Sequence, residues 1–123
     1  PNDRSMARIL VVDDEEGIRR VLSQLLEYEG HEVRSAGGAA ECLAIYPEFR
    51  PHLTFLDVKM ARMDGLETLT RLREAEPDAL VVMISGHGTI ETAVEATRRG
   101  AYDVRQTRPG FDRLGDRVQR TKI

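Results

Sequence analysis

Apolar and polar positions change period in a regular order along this chain. Residues Arg8–Val12 form a continuous apolar run that stops at two aspartates, the pattern of a central parallel strand buried on both faces. Ile18, Val21, Leu22, Leu25 and Leu26 then recur at helical spacing, with Gly30 as a stop. His31–Ser35 is a shorter, less apolar strand, suited to a sheet edge, and Ala39–Tyr46 reads as a helix ended by Pro47. His52–Leu56 is a second apolar strand, again followed by an acid, Asp57. Leu66, Leu69 and Leu72 mark a third helix ending near Pro77, and Leu80–Ile84 a buried strand leading into Ser85-Gly86. Ile90, Ala93, Val94 and Thr97 mark a fourth helix closed by Gly100; a fifth strand is expected over 101–105 and a thin last helix from Phe111. Five strand–helix units in succession predict an α/β fold with an open parallel sheet covered on both faces.

In such sheets the chemistry gathers at the carboxyl ends of the strands. Asp13, Asp14, Asp57 and Ser85 all fall there, so residues far apart in sequence are expected on one edge. Three carboxylates in one small site raise each other's pKa unless a cation neutralises them. An oxygen-only donor set with few protein ligands suits Mg²⁺, which keeps waters and accepts phosphate oxygens. A divalent ion beside a carboxylate also prepares phosphoryl transfer, and the Ser85 hydroxyl could donate to a phosphoryl oxygen. The plainer alternative is that such acids cap helices or pair with surface cations. Asp14 in particular suits the amino end of the first helix. Asp57 fits that alternative less well, because it follows a wholly apolar strand and precedes a loop holding Asp64 and Gly65.

Charge and length narrow the class. The 123 residues suit one domain, and the net charge is −3. Residues 104–123 carry six basic side chains against two acids, which leaves −7 on the 103 residues before them. An acidic body argues against general nucleic-acid binding, which needs a basic surface. No apolar run approaches the roughly 20 residues of a membrane span, and Pro1–Ser5 has no signal-peptide character. The expected location is the cytoplasm, compatible with the single Cys42, which reads as a packed small hydrophobe. His31, His52 and His87 show no metal spacing, His87 reads as a loop residue, and Met60 and Met63 as gap fillers. No Gly-rich phosphate loop of the GxxxxGK[ST] kind occurs, so an ATPase within these residues is not expected.

Three blocks, Val11-Val12-Asp13-Asp14-Glu15, Leu56-Asp57-Val58-Lys59-Met60-Ala61-Arg62-Met63-Asp64-Gly65 and Ile84-Ser85-Gly86-His87-Gly88, resemble the signature blocks of response-regulator receiver domains in order and spacing. The resemblance covers about residues 7–103, and Ser85–Thr89 followed by Glu91-Thr92-Ala93-Val94 resembles receivers of the NtrC type. It implies a flavodoxin-like (βα)5 three-layer sandwich with strand order 2-1-3-4-5, and one receiver domain over 1–123, with 1–7 a tail and 104–123 an atypical end. It further implies a phosphoacceptor of a two-component system that takes its phosphoryl group from a sensor histidine kinase and relays the signal to an output domain. By position, Asp57 is the phosphoacceptor, Asp13 and Asp14 hold Mg²⁺ directly or through water, and the Lys59 backbone carbonyl supplies another ligand. Ser85 binds the phosphoryl oxygen, and Asp64-Gly65 shape the loop and start the third helix. NtrC-type receivers usually precede a sigma54-activating ATPase and a DNA-binding domain. Neither lies within these residues, so an excised or stand-alone receiver is expected. Many members dimerise through the fourth helix, fifth strand and fifth helix.

The pattern breaks after Gly100-Ala101-Tyr102-Asp103. Members usually continue with an aromatic or apolar pair and then Lys-Pro, whereas here Val104-Arg105-Gln106-Thr107-Arg108-Pro109 is one residue longer. Counting forward puts Thr107 at the lysine, and counting back puts Arg108 there. Arg108 brings a positive charge, but a planar fork does not reproduce a compact ammonium. The switch aromatic is replaced by Val104 or Arg105, with Tyr102 on the same strand face as Val104. Phe111, Leu114 and Val118 give the last helix one apolar stripe, interrupted by Gly115. Ala61 stands where members usually have proline. Two other functions compete: a degenerate receiver acting as a phosphorylation-independent interaction module, and a Mg²⁺-dependent phosphotransferase or phosphatase with Asp57 as nucleophile. Lys59 stands where the haloacid-dehalogenase class of the latter wants a second acid.

Overall fold

The computed structural model describes residues 6–58, 64–85 and 90–106. The described elements run β1 (Arg8–Val12), α1 (Glu16–Tyr28), β2 (Glu32–Ala36), α2 (Ala39–Phe49), β3 (Leu53–Asp57), α3 (Gly65–Ala75), β4 (Val81–Ser85), α4 (Ile90–Arg98) and β5 (Asp103–Gln106). The five strands pair in parallel in the order β2-β1-β3-β4-β5, as the resemblance implies.

The continuous apolar strands follow from what lies on each face. Leu10, Val12, Leu56, Val81 and Met83 point to one side, where Cys42, Tyr46 and Phe49 of α2, Leu69 and Leu72 of α3 and Ala96 of α4 cover them. Ile9, Val11, Phe55, Val82 and Ile84 point to the other, against Leu22 and Leu26 of α1. With both faces covered, a polar side chain in either set is costly without a partner, and Thr54 of β3, whose buried hydroxyl has no hydrogen bond among the described residues, bears that cost. Burying each such leucine or valine contributes about 1.5–3 kcal/mol, which is what holds the helices to the sheet.

Several boundaries differ from those the pattern predicts. Pro47 does not end α2, which runs on to Phe49. A proline in a last turn forfeits one backbone bond, here to the Leu43 carbonyl, while its ring keeps a helical φ. Buried Phe49, with the Arg34 guanidinium 5.2 Å from its ring centre, holds that turn in place. The stop comes at Arg50, whose φ of 50° is left-handed. β5 starts at Asp103 rather than 101, because the N–H groups of Gly100 and Ala101 donate to the carbonyls of Thr97 and Ala96 and so belong to the exit from α4. His31 likewise donates to the Leu26 carbonyl, which shifts β2 to Glu32–Ala36. Val21, expected on the inner face of α1, is 39% exposed. The expected last helix lies outside the described residues.

Candidate functional site

β1 and β3 are neighbours in register, with Val12 opposite Leu56, so the residues that follow each strand come out side by side. Asp13 and Asp14 leave β1 there, and Asp57 is the last residue of β3. One carboxylate oxygen from each of the three lies within 4.8 Å of the others. The edge that parallel pairing creates has thus gathered the three acids, 43 residues apart at the closest between loops, into one cluster.

Asp13 is the most constrained of them. Its N–H donates to the Ala36 carbonyl at 3.1 Å, joining it to the end of β2. Its own carbonyl accepts from the Arg19 guanidinium at 2.7 Å, and its Oδ1 accepts the Glu15 N–H at 2.9 Å. That last bond closes the entry to α1, where Glu15 itself makes no side-chain cap. Only 7% of Asp13 is exposed. Burial pushes its carboxyl above the usual range; the Glu15 N–H opposes this, Asp14 and Glu15 add to it, and Arg19 draws it back. A buried carboxyl with further acids beside it favours a bound cation. Three oxygen donors with no nitrogen or sulfur among them suit a hard divalent ion such as Mg²⁺.

Asp57 is fixed from behind. The next residue, Val58, donates to the Ile84 carbonyl of β4 and accepts from the Gly65 N–H, both at 2.9 Å. This brings the start of α3 so close that a Cβ on Gly65 would collide with the carbonyl oxygen of Asp57. Asp64 caps that helix, its side chain accepting the Leu66 N–H at 2.9 Å. The expectation that Asp64 and Gly65 start the third helix therefore holds, and the glycine has a steric reason.

Ser85 closes β4, one residue beyond Ile84, which pairs with Asp57, and its own backbone partner is Gln106. Lys59, Met60, Ala61, Met63, His87, Thr107 and Arg108 lie outside the described residues. The register between β4 and β5 runs without a bulge from Asp103 through Gln106. Val104, one of the two candidates for the usual aromatic, pairs with Met83 and packs against the core, while Arg105 pairs with Ile84. Tyr102 precedes the strand and is 55% exposed.

The remaining candidates lie elsewhere. Cys42 is fully buried and its thiol is pushed up to about 12, which makes it inert. His31 and His52 stand at the opposite edge, where each Nδ1 accepts a backbone N–H, from Ala7 at 3.2 Å and from Arg8 at 2.9 Å. Arg19 was not singled out by sequence, since an arginine in the first turn of a helix has no signature. Its place one turn beyond the acids is the only hint.

Residues 9–118 match the family model described as "Response regulator receiver domain". The chain is 47% identical over 108 residues to the nitrogen assimilation regulatory protein NtrX of Azorhizobium caulinodans, covering 86% of this chain and 24% of that protein. It spans about a fifth to a quarter of the length of the curated relatives it matches first. Among solved structures it resembles the receiver domain of NtrX from Brucella abortus, at 47% identity and a TM-score of 0.80 over 91% of this chain and 95% of that one. It also resembles the beryllofluoride-activated NtrC4 receiver domain dimer, at 35% identity and a TM-score of 0.82 over 94% and 95% of the two chains.

Proposed function

The chain belongs to the response-regulator receiver domains of the NtrC type, and from that premise we propose that it accepts a phosphoryl group on Asp57 from a sensor histidine kinase, with Mg²⁺ held by its acidic cluster. The observation that carries this reading is the convergence of Asp13, Asp14 and Asp57 at one sheet edge. An Asp57 carboxylate oxygen attacks phosphorus, an O–P bond forms, the P–N bond to the kinase imidazole breaks, and that nitrogen keeps the electron pair. Asp13, Asp14, Asp57 and the Lys59 carbonyl would hold the ion, which supplies positive charge to the phosphoryl oxygens. The rigid tie of Val58 to β4 and to α3 keeps the Asp57 carboxylate at the edge while the bond forms. Ser85 would donate to the transferred group, and Arg108 would take part of the usual lysine's role.

The phosphorylated domain would then act on a transcriptional output, a sigma54-type ATPase with a DNA-binding domain, in the cytoplasm. No helix among the described residues is long and apolar enough to cross a membrane. Residues 1–123 would form one domain. A homodimer fits the half-exposed Val94 of α4 and Tyr102 beside β5. The second reading, a phosphorylation-independent interaction module, is favoured by one observation: neither Thr107 nor Arg108 is the expected lysine.

Intact-mass measurement after acetyl phosphate and Mg²⁺ decides between them. The expected result is an adduct of about 80 Da that Asp57→Asn abolishes. A folded protein that binds Mg²⁺ and takes no adduct would transfer the assignment to the interaction module.

A further inference from the structure

Asp13 is held at three polar points. Its N–H is tied to Ala36, its carbonyl to Arg19 and its Oδ1 to the Glu15 N–H, while one of its carboxylate oxygens lies in the acidic cluster. The first of these ties is a backbone pair that any sequence could make, and the Oδ1 tie is local to the aspartate's own turn. The carbonyl tie is a side chain reaching back from the first turn of α1. We propose that Arg19 is a positioning residue for the cation site: by holding the Asp13 carbonyl it sets the loop from which Asp13 and Asp14 present their oxygens. This rests on the reading of the cluster as a Mg²⁺ site.

The geometry of the contact makes it suited to that task. A guanidinium placed on the Asp13 carboxylate would compete with the ion for the same oxygen. Here Nη1 donates instead to the main-chain carbonyl at 2.7 Å, so the loop is anchored while the carboxylate stays available. Arg19 is half-buried and seated on α1, whose first backbone bond, from the Arg19 N–H to the Glu15 carbonyl, fixes the helix to the same loop. The neighbouring loop leaves room for it. A Cβ on Gly37 would come 3.2 Å from Nη1, and the Glu41 carboxylate that accepts the Gly37 N–H at 2.8 Å lies beside it. Arg19 thus ties the exit of β1 to α1, with its guanidinium lying beside the turn after β2. Groups that orient a metal ligand without touching the metal typically contribute 10–100-fold to affinity, so the effect is measurable.

The test is an amide-NMR titration with MgCl₂ of the wild-type chain, Arg19→Met and Arg19→Lys, with thermal melts in EDTA to establish that each is folded. Arg19→Met keeps the apolar stem and removes the donor; it is expected to weaken Mg²⁺ binding about tenfold. Arg19→Lys restores a single donor and should return to within about threefold of the wild type. Gly37→Ala, which crowds the guanidinium, should weaken Mg²⁺ in the same direction and serves if Arg19→Met does not fold. Arg19→Met binding as tightly as wild type, or Arg19→Lys as weakly as Arg19→Met, overturns the inference. Unchanged affinity in Gly37→Ala does so where it stands alone. Wild-type protein that takes up no Mg²⁺ removes the metal reading itself and the inference with it.

Discussion

Where β1 begins, backbone N–H groups meet neutral nitrogen acceptors, Ala7 on His31 and Arg8 on His52, while the Arg8 side chain donates from Nε to the carbonyls of Phe49 and Arg50, each at 3.0 Å. Where the same strand ends, five residues later, three carboxylates crowd together and one of them is buried. The first edge gives two backbone N–H groups side-chain acceptors and so adds stability. The second concentrates like charge, which the folded state tolerates only because neighbouring backbone fixes it. The lesson is that one sheet separates the two demands by direction: strand starts serve the fold, strand ends serve chemistry.

Gly65→Ala should have the largest effect, since it drives a methyl group into the Asp57 carbonyl. A loss of about 3 kcal/mol is expected, read by urea unfolding, because α3 must withdraw from β3. A near-neutral result would mean that the acid edge is looser than its backbone ties imply. At the opposite edge, His31→Leu should cost about 2 kcal/mol by removing a buried acceptor, and His52→Leu, on an exposed residue, about 0.5–1 kcal/mol. If the two cost the same, burial is not what separates them.

Asp13→Asn is expected to act with the opposite sign. It should stabilise the metal-free protein by roughly 1 kcal/mol, because it removes a buried carboxylate from beside two others. The pH dependence follows from the raised Asp13 carboxyl. A folded-state pKa above the unfolded one means the folded chain binds extra protons between the two values. Metal-free stability therefore falls as pH rises from the ordinary carboxylate range through the raised one, and stays lowered above it. Asp13→Asn should flatten that descent in chemical denaturation at stepped pH. In saturating Mg²⁺ its advantage should disappear, since only the wild type gains binding energy there. The smallest effect belongs to Tyr28, 89% exposed on α1: Tyr28→Ser should stay within about 0.5 kcal/mol of wild type in the same denaturation curves.

Much of this was legible from residue order alone. Apolar runs ending in Asp13, Asp57 and Ser85 carry the strands, their direction and the edge where the acids meet, because burial on both faces leaves an unmistakable run. Boundaries were less legible, since Pro47 signals a stop that Phe49 overrides by packing, and Gly100 with Ala101 is claimed by helix-exit bonds rather than by β5. The Arg19 tie to Asp13 and the two imidazole acceptors left no trace in the pattern. They join side chains to backbone across 6, 24 and 44 residues, and hydrogen bonds of that kind have no period.

The central place of β1 carries a consequence for how the chain is made. One of the two partners of β1, β3, begins 45 residues after it at Leu53. At a synthesis rate of roughly 5–20 residues per second, that apolar strand waits about 2–9 s before its second flank is covered. Non-local pairing of this kind also slows folding after release. That flank of β1 is therefore open to chaperones and to aggregation until β3 has been made.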